Sequence, residues 1–112
     1  MKTRPPEEVR EMFRANEAMC REVVAMLELV SNKARLRIVC MLMEGDYCVQ
    51  DIVDVAGGGK ATNVSQQLRM LRLAGVVESR RSGKQIYYRL NEGAVPDLVR
   101  FLRKQYLNKA CS

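Results

Sequence analysis

The sequence contains four cysteines and no histidine. The cysteine thiols are therefore the visible candidates for a chemical switch. Without an imidazole, the chain cannot form a Ser–His or Cys–His nucleophile pair, and any metal site would need thiolates and carboxylates. The cysteines form no Cys-x-x-Cys motif; they are Cys20, Cys40, Cys48 and Cys111. We therefore expect a protein that is not an enzyme and that needs no cofactor.

Positive charge is concentrated in one segment of the chain. The 112 residues carry a net charge of +6, and residues 60–89 alone contain seven Lys or Arg side chains and one Glu. Such a cluster is typical of a surface that contacts nucleic-acid phosphates, although a solvated basic face would have the same composition. The secondary structure predicted for residues 60–89 is therefore needed to choose between these two interpretations.

Helical periodicity dominates the two ends of the chain. Apolar residues recur every three or four positions over residues 7–29, which predicts one long amphipathic helix. Ser31-Asn32 offers an N-cap for a second helix over residues 33–44. A last amphipathic helix is predicted over residues 95–109, and residues 1–112 form a single domain without a linker or repeat.

The middle of the chain predicts a helix-turn-helix followed by a β-hairpin. A short helix, three consecutive glycines and a second helix fill residues 49–74. Two extended segments around Ser82-Gly83 make a hairpin over residues 76–90, with Ile86, Tyr88 and Leu90 predicted to face inward. The expected fold is mainly α with a β-hairpin wing, and the basic segment is its recognition helix together with the wing.

Three stretches in this order resemble the ArsR/SmtB family of bacterial winged-helix repressors: residues 31–39, residues 63–77 and residues 80–88. The resemblance implies a homodimer that is formed through the first and last helices, about 7–29 and 95–109. It also implies binding to double-stranded operator DNA with an inverted repeat, and release when a sensor site changes state.

Polar residues of the second helix match the positions that read DNA in this family. These positions correspond to Thr62, Ser65 and Gln66, with Asn63 and Arg69 nearby. Gln and Asn can bond adenine edges, and hydroxyl groups can contact bases or phosphates. Thr62 and Asn63 could equally cap the helix, and Ser65 could be buried. In the wing, the candidates for phosphate contact are Arg80, Arg81, Lys84 and Gln85.

The resemblance leaves two kinds of inducer open. Members that sense persulfides or oxidants use a cysteine in the second helix and one near the chain end; Cys40 and Cys111 match these positions, although Cys111 lies one helical turn late. Arsenic-type members use Cys-Val-Cys-Asp, which here is Cys48-Val49-Gln50-Asp51, so Cys48 would need Cys20, Cys40 or Cys111 as further ligands. Cys40 could instead be a packed core residue. The zinc-type site requires histidine and is absent.

The longest apolar run, residues 38–43, is six residues, far short of the roughly 20 that a membrane helix needs. The N-terminus also lacks the apolar stretch of a signal peptide. We therefore expect a cytoplasmic protein whose partners are DNA, a second copy of itself, and reactive sulfur species or arsenite as inducer. The alternative is a winged helix that binds only proteins.

Overall fold

A computed structural model describes residues 3–107 and shows a mainly helical chain with a small antiparallel sheet. The predicted fold class is confirmed. Among the described residues, no helix is long and apolar enough to cross a membrane. In chain order the elements are α1 (Pro6–Ala15), α2 (Glu17–Val30), α3 (Lys33–Leu42), β1 (Tyr47–Cys48), α4 (Val49–Val55), α5 (Ala61–Leu73), β2 (Val77–Ser82), β3 (Gln85–Leu90) and α6 (Ala94–Leu102), which continues as a π-helical segment, Arg103–Leu107.

The core lies where α3, α4, α5 and α6 pack against the base of the sheet. Each of these helices buries its apolar face. Side chains with almost no exposed surface come from every one of these helices and from β2; they are Ile38, Val39, Ile52, Val64, Leu68, Leu71, Val77 and Val99. Apolar packing against α3, α4 and β2 therefore holds α5 in place.

Local signals set the ends of the helices around this core. The Asn32 side chain accepts a hydrogen bond from the Arg35 N–H at 2.9 Å, which caps α3 as the sequence predicts. At the end of α5, the Val76 N–H donates to the Leu71 carbonyl and the Gly75 N–H donates to the Arg72 carbonyl. This bonding pattern requires a left-handed residue, and Gly75 supplies it with φ +76°.

The sheet has the order β1-β3-β2, with both pairs antiparallel. Cys48 of β1 lies opposite Tyr87 of β3, so the short strand ahead of α4 is hydrogen-bonded to the hairpin. Arg80 lies opposite Tyr87 and Arg81 lies opposite Ile86. Since directly opposed residues share a face and neighbours alternate, Arg80 and Arg81 point to opposite faces of the wing.

The prediction of one helix over residues 7–29 is wrong, because the chain is interrupted at Asn16. The Asn16 backbone leaves the helical region at φ −114° and ψ 25°, and its side-chain amide donates to the Met12 carbonyl at 2.8 Å. An asparagine that bonds nearby backbone groups competes with helical hydrogen bonding. Two helices, α1 and α2, therefore replace the single one.

Two further expectations change at the other end of the fold. The last helix, predicted over residues 95–109, is α-helical only as far as Leu102 and then becomes π-helical, while residues 108 and 109 lie outside the described part. Ile86, predicted to face inward, is 42% exposed, although Tyr88 on the same face is buried. The hairpin tip extends past the core, so nothing covers Ile86 there.

Candidate nucleic-acid interface and thiol site

One face of α5 presents polar side chains to solvent. Thr62, Ser65, Gln66 and Arg69 are all exposed and follow the i, i+3, i+4, i+7 spacing of a single helix face. The buried residues of α5, which include Val64, Leu68 and Leu71, occupy the opposite face. Ser65 is therefore exposed and not buried in the core. Four of the five helix candidates lie on this exposed face.

The fifth helix candidate, Asn63, lies at the edge of that face and lines a groove with three cations. The groove has a volume of about 400 Å³, and its basic lining residues are Lys33, Arg37 and Lys60. Lys60 occupies the N-cap position of α5, where no side chain caps the helix. The first N–H groups of α5 and three positive charges thus border one groove, an arrangement that suits a phosphate.

A partly buried chain of hydrogen bonds links α5 to the two helices α2 and α3. Arg35 donates from Nη1 to Gln67 Oε1 at 2.6 Å, and Gln67 donates from Nε2 to Asn63 Oδ1 at 3.1 Å. Arg35 also donates from Nε to the Leu29 carbonyl at 2.6 Å and from Nη2 to the Glu28 carbonyl at 3.2 Å. These carbonyls belong to the last turn of α2, where backbone acceptors lack helical partners.

The wing candidates are all exposed: Arg80, Arg81, Lys84 and Gln85. Among the described residues, none of the three cations forms a salt bridge, whereas Arg89 pairs with Glu78 at 3.4 Å. Arg89 therefore has part of its charge compensated within the wing. The uncompensated charge lies towards the hairpin tip, around the turn at Gly83.

Cys40 borders an open cleft between α3 and α4. The cleft has a volume of about 730 Å³, and Cys40 is half-buried on its wall. Most of the lining is apolar and includes Leu36, Tyr47 and Ala56. Arg37 lines this cleft and also the basic groove beside Asn63, so one side chain borders both sites.

The other thiols are distributed differently from Cys40. Cys48 is buried at the start of α4 and Cys20 is exposed on α2, while Cys111 lies outside the described residues. Over residues 3–107 the structure brings together no group of three Cys, Asp or Glu side chains that could hold a metal ion. The predicted pair of Cys40 and Cys111 stays a prediction, and so does the set built on Cys48.

Exposed apolar side chains occur along α1 and α2, and on α6 and the π-helical segment that follows it. Neither α1 nor α2 buries a residue within the protomer. Large apolar side chains that are more than two-fifths exposed on these elements are Met12, Phe13, Met19, Val23, Val24, Leu27, Phe101 and Tyr106. Large exposed apolar side chains in such number are typical of a protein interface.

Comparison with known proteins identifies the family. The model of the bacterial regulatory protein arsR family matches residues 32–79. A biofilm growth-associated repressor from Xylella fastidiosa is 43% identical over 86 residues, which cover 77% of this chain and 75% of the relative. The chain belongs to the ArsR/SmtB family of transcriptional regulators.

Solved structures of ArsR-family proteins support the same fold. The transcriptional repressor BigR from Xylella fastidiosa superposes with a TM-score of 0.73 at 38% identity, covering 86% of this chain and 94% of BigR. Reduced HlyU from Vibrio cholerae superposes with a TM-score of 0.76 at 26% identity, covering 83% and 97% of the two chains. Like its relatives, this chain is a DNA-binding regulator and not an enzyme.

Several residues that shape the interface of this ArsR-family chain were missed by sequence reasoning. Lys33 and Arg37 lie outside the basic segment, yet they border the groove at Asn63. Their i, i+4 spacing at the start of α3 was a usable signal, because it places both on one face beside the helix-turn-helix. Arg35 and Gln67 had no such signal, since 32 positions separate them in the chain.

Proposed function

We propose that this transcriptional repressor binds an inverted-repeat operator as a homodimer and releases it when Cys40 and Cys111 react. The role of Cys40 as a sensor rests on the open cleft beside it, which gives small molecules a route to its half-buried sulfur near α4. The polar face of α5 and the uncompensated charge of the wing support DNA binding through Thr62, Ser65, Gln66 and Arg69. Phosphate contacts from the wing come from among the candidates Arg80, Arg81, Lys84 and Gln85.

The exposed apolar side chains of α1 and α2 support dimerisation. The radius of gyration is 17.6 Å, whereas a compact chain of this length has about 13 Å. The protomer is therefore extended, and α1 and α2 have no fully buried residue, although Met26, Leu29 and Val30 of α2 pack partly against the core. A second copy that packs on the same surface would form a two-fold interface, and two-fold symmetry places two recognition helices on an inverted repeat.

The chemical step joins two thiols. A persulfide donor transfers its outer sulfur to one of the two cysteine thiolates and leaves as a thiolate. The other cysteine thiolate then attacks the inner sulfur of the new persulfide, so that a disulfide forms and hydrosulfide leaves. The bridge links α3 to the end of the chain, which belongs to the proposed dimer interface. Shifting that interface changes the distance between the two recognition helices, and operator affinity falls.

Operator binding by the purified reduced protein tests the proposal. A duplex selected by the protein from a random library is used as the probe, and binding is measured before and after treatment with a persulfide donor, peroxide or arsenite. The expected result is release by the persulfide, and a Cys40–Cys111 crosslink in mass spectra of the treated protein. Cys20→Ser is the matched control, because Cys20 is an exposed thiol on another helix.

Two outcomes would contradict this assignment of the sensor. If a Cys40→Ser/Cys111→Ser double variant still releases DNA after persulfide treatment, neither thiol is the sensor. Release by arsenite that depends on Cys48 would instead support the soft-metal alternative, in which Cys48 acts with Cys20, Cys40 or Cys111. Absent or salt-insensitive binding to every duplex would overturn the DNA interface itself.

A further inference from the structure

Gln67 is a buried amide in the middle of the recognition helix. Among the described residues it is the one polar side chain in the buried class, at 8% exposed. A buried amide needs partners for both its oxygen and its nitrogen. Arg35 and Asn63 supply them, on opposite sides of the amide.

The orientation of the Gln67 amide follows from the chemistry of Arg35. A guanidinium group only donates, so the atom that faces Arg35 must be the Gln67 oxygen. Arg35 cannot turn away easily, because two carbonyls at the end of α2 hold its other nitrogens. The Gln67 NH₂ group therefore faces Asn63, and the atom that receives it must be the Asn63 oxygen, Oδ1.

The same reasoning determines what Asn63 can offer to DNA. Its oxygen faces Gln67, and its Nδ2 group forms no hydrogen bond within the described part of the chain. Reading adenine with two bonds needs both the oxygen and the nitrogen of the amide on the base edge. Asn63 therefore faces outward as a donor, in a groove that Lys33, Arg37 and Lys60 make positive.

We propose that Asn63 donates a hydrogen bond to a DNA phosphate, in an orientation that Arg35 and Gln67 impose, and that it does not read a base. The inference rests on the DNA-binding face described above and not on the identity of the inducer. Asn63 is then a contact residue, and Arg35 and Gln67 are positioning residues. Base reading is left to the exposed face of α5.

Variants of Asn63 test this assignment directly. Asn63→Ala removes one charge-assisted donor and should weaken operator binding roughly tenfold, the equivalent of about 1.4 kcal/mol. Asn63→Asp keeps the acceptor for Gln67 but turns an anionic oxygen towards the phosphate, so the loss should be larger. Gln50→Glu is the control for the charge change, since Gln50 is an exposed residue of α4 that lines neither the groove at Asn63 nor the apolar surface of α1 and α2.

Gln67→Glu tests the imposed orientation. The new carboxylate still accepts from Arg35 but cannot donate to Asn63, so the Asn63 amide turns its nitrogen inward and its oxygen towards the phosphate. Affinity should fall about as far as in Asn63→Ala, and the double variant should lose little more. Circular dichroism shows whether Gln67→Glu folds; if it does not, the Asn63 variants decide alone.

The distinction between phosphate and base comes from a panel of operators with single substitutions. A phosphate contact from a neutral amide weakens binding to every sequence by the same factor, and Asn63→Ala leaves the salt dependence unchanged because no positive charge is removed. A change in preference at one base pair, or unchanged affinity in both Asn63 variants, would overturn the proposal. Wild-type protein is measured beside every variant. A variant result that overturns the role of Asn63 leaves the repressor function intact, whereas absence of operator binding by the wild-type protein would contradict that function.

Discussion

Gly57, in the turn between α4 and α5, lies against Val64 of α5. A substitution at Gly57 should therefore have a large effect on stability. A methyl group at Gly57 would overlap the Val64 side chain and lie 3.0 Å from the Val53 carbonyl oxygen. Val64 has no exposed surface and cannot swing into solvent. Gly57→Ala should therefore lower the free energy of unfolding by about 1–3 kcal/mol, the usual cost of overpacking a core.

A double-mutant cycle isolates this contact. Val64→Ala alone leaves a cavity and should cost about 2 kcal/mol. In Gly57→Ala/Val64→Ala the new methyl group occupies part of the vacated space, so the double variant should be more stable than the sum of the single changes by about 1 kcal/mol or more. Urea denaturation followed by circular dichroism, at one fixed protein concentration, measures all four proteins.

Gly59 provides the control for this cycle. A methyl group there meets no atom within 4 Å, but φ is +84°, so Gly59→Ala should cost about 1–2 kcal/mol through the backbone alone. That cost should add to Val64→Ala without coupling. If Gly57→Ala and Val64→Ala are also additive within about 0.5 kcal/mol, the packing of the glycine turn against α5 is not as described.

Three further changes test other parts of the structure. Asn32→Ala should destabilise the protein by about 1 kcal/mol in urea denaturation, because the cap of α3 is lost, whereas Asn32→Ser should restore most of it. Val23→Glu places a charge on the apolar surface of α2 and should give a monomer in sedimentation; an unchanged dimer would contradict the proposed interface. Arg80 and Arg81 point to opposite faces of the wing, so one Ala variant should lower the salt dependence of DNA binding by about one counterion and the other should not; equal losses would contradict this geometry.

Local and periodic features were predictable from the sequence. The apolar spacing of α5 indicated which face is buried, and Asn32 indicated where α3 begins, because both depend on neighbours within one or two helical turns. The break at Asn16 was missed because helical periodicity on both sides hides a single side chain that bonds the backbone. Ile86 was misjudged because alternation predicts a face but not how far the core extends along it.

Long-range pairings could not be predicted. Residues 35 and 67 approach only because α3 and α5 cross, and no local pattern relates an arginine to a glutamine 32 positions later. The groove at Asn63 likewise draws its charge from two helices and a turn. The orientation of the Asn63 amide, which decides what it offers to DNA, therefore follows only from the folded arrangement.

The pairing of β1 with β3 connects the wing to the helix-turn-helix formed by α4 and α5. Because β1 runs directly into α4, movement at the base of the wing is coupled to the helix-turn-helix. In the proposed dimer, we therefore expect adjustment to the operator to occur mainly between the two protomers. One extra base pair between half-sites displaces them by about 3.4 Å and rotates them by about 34°, and rigid readers cannot follow that change. Tolerance of operators to such insertions is thus a measure of how far the dimer interface can bend.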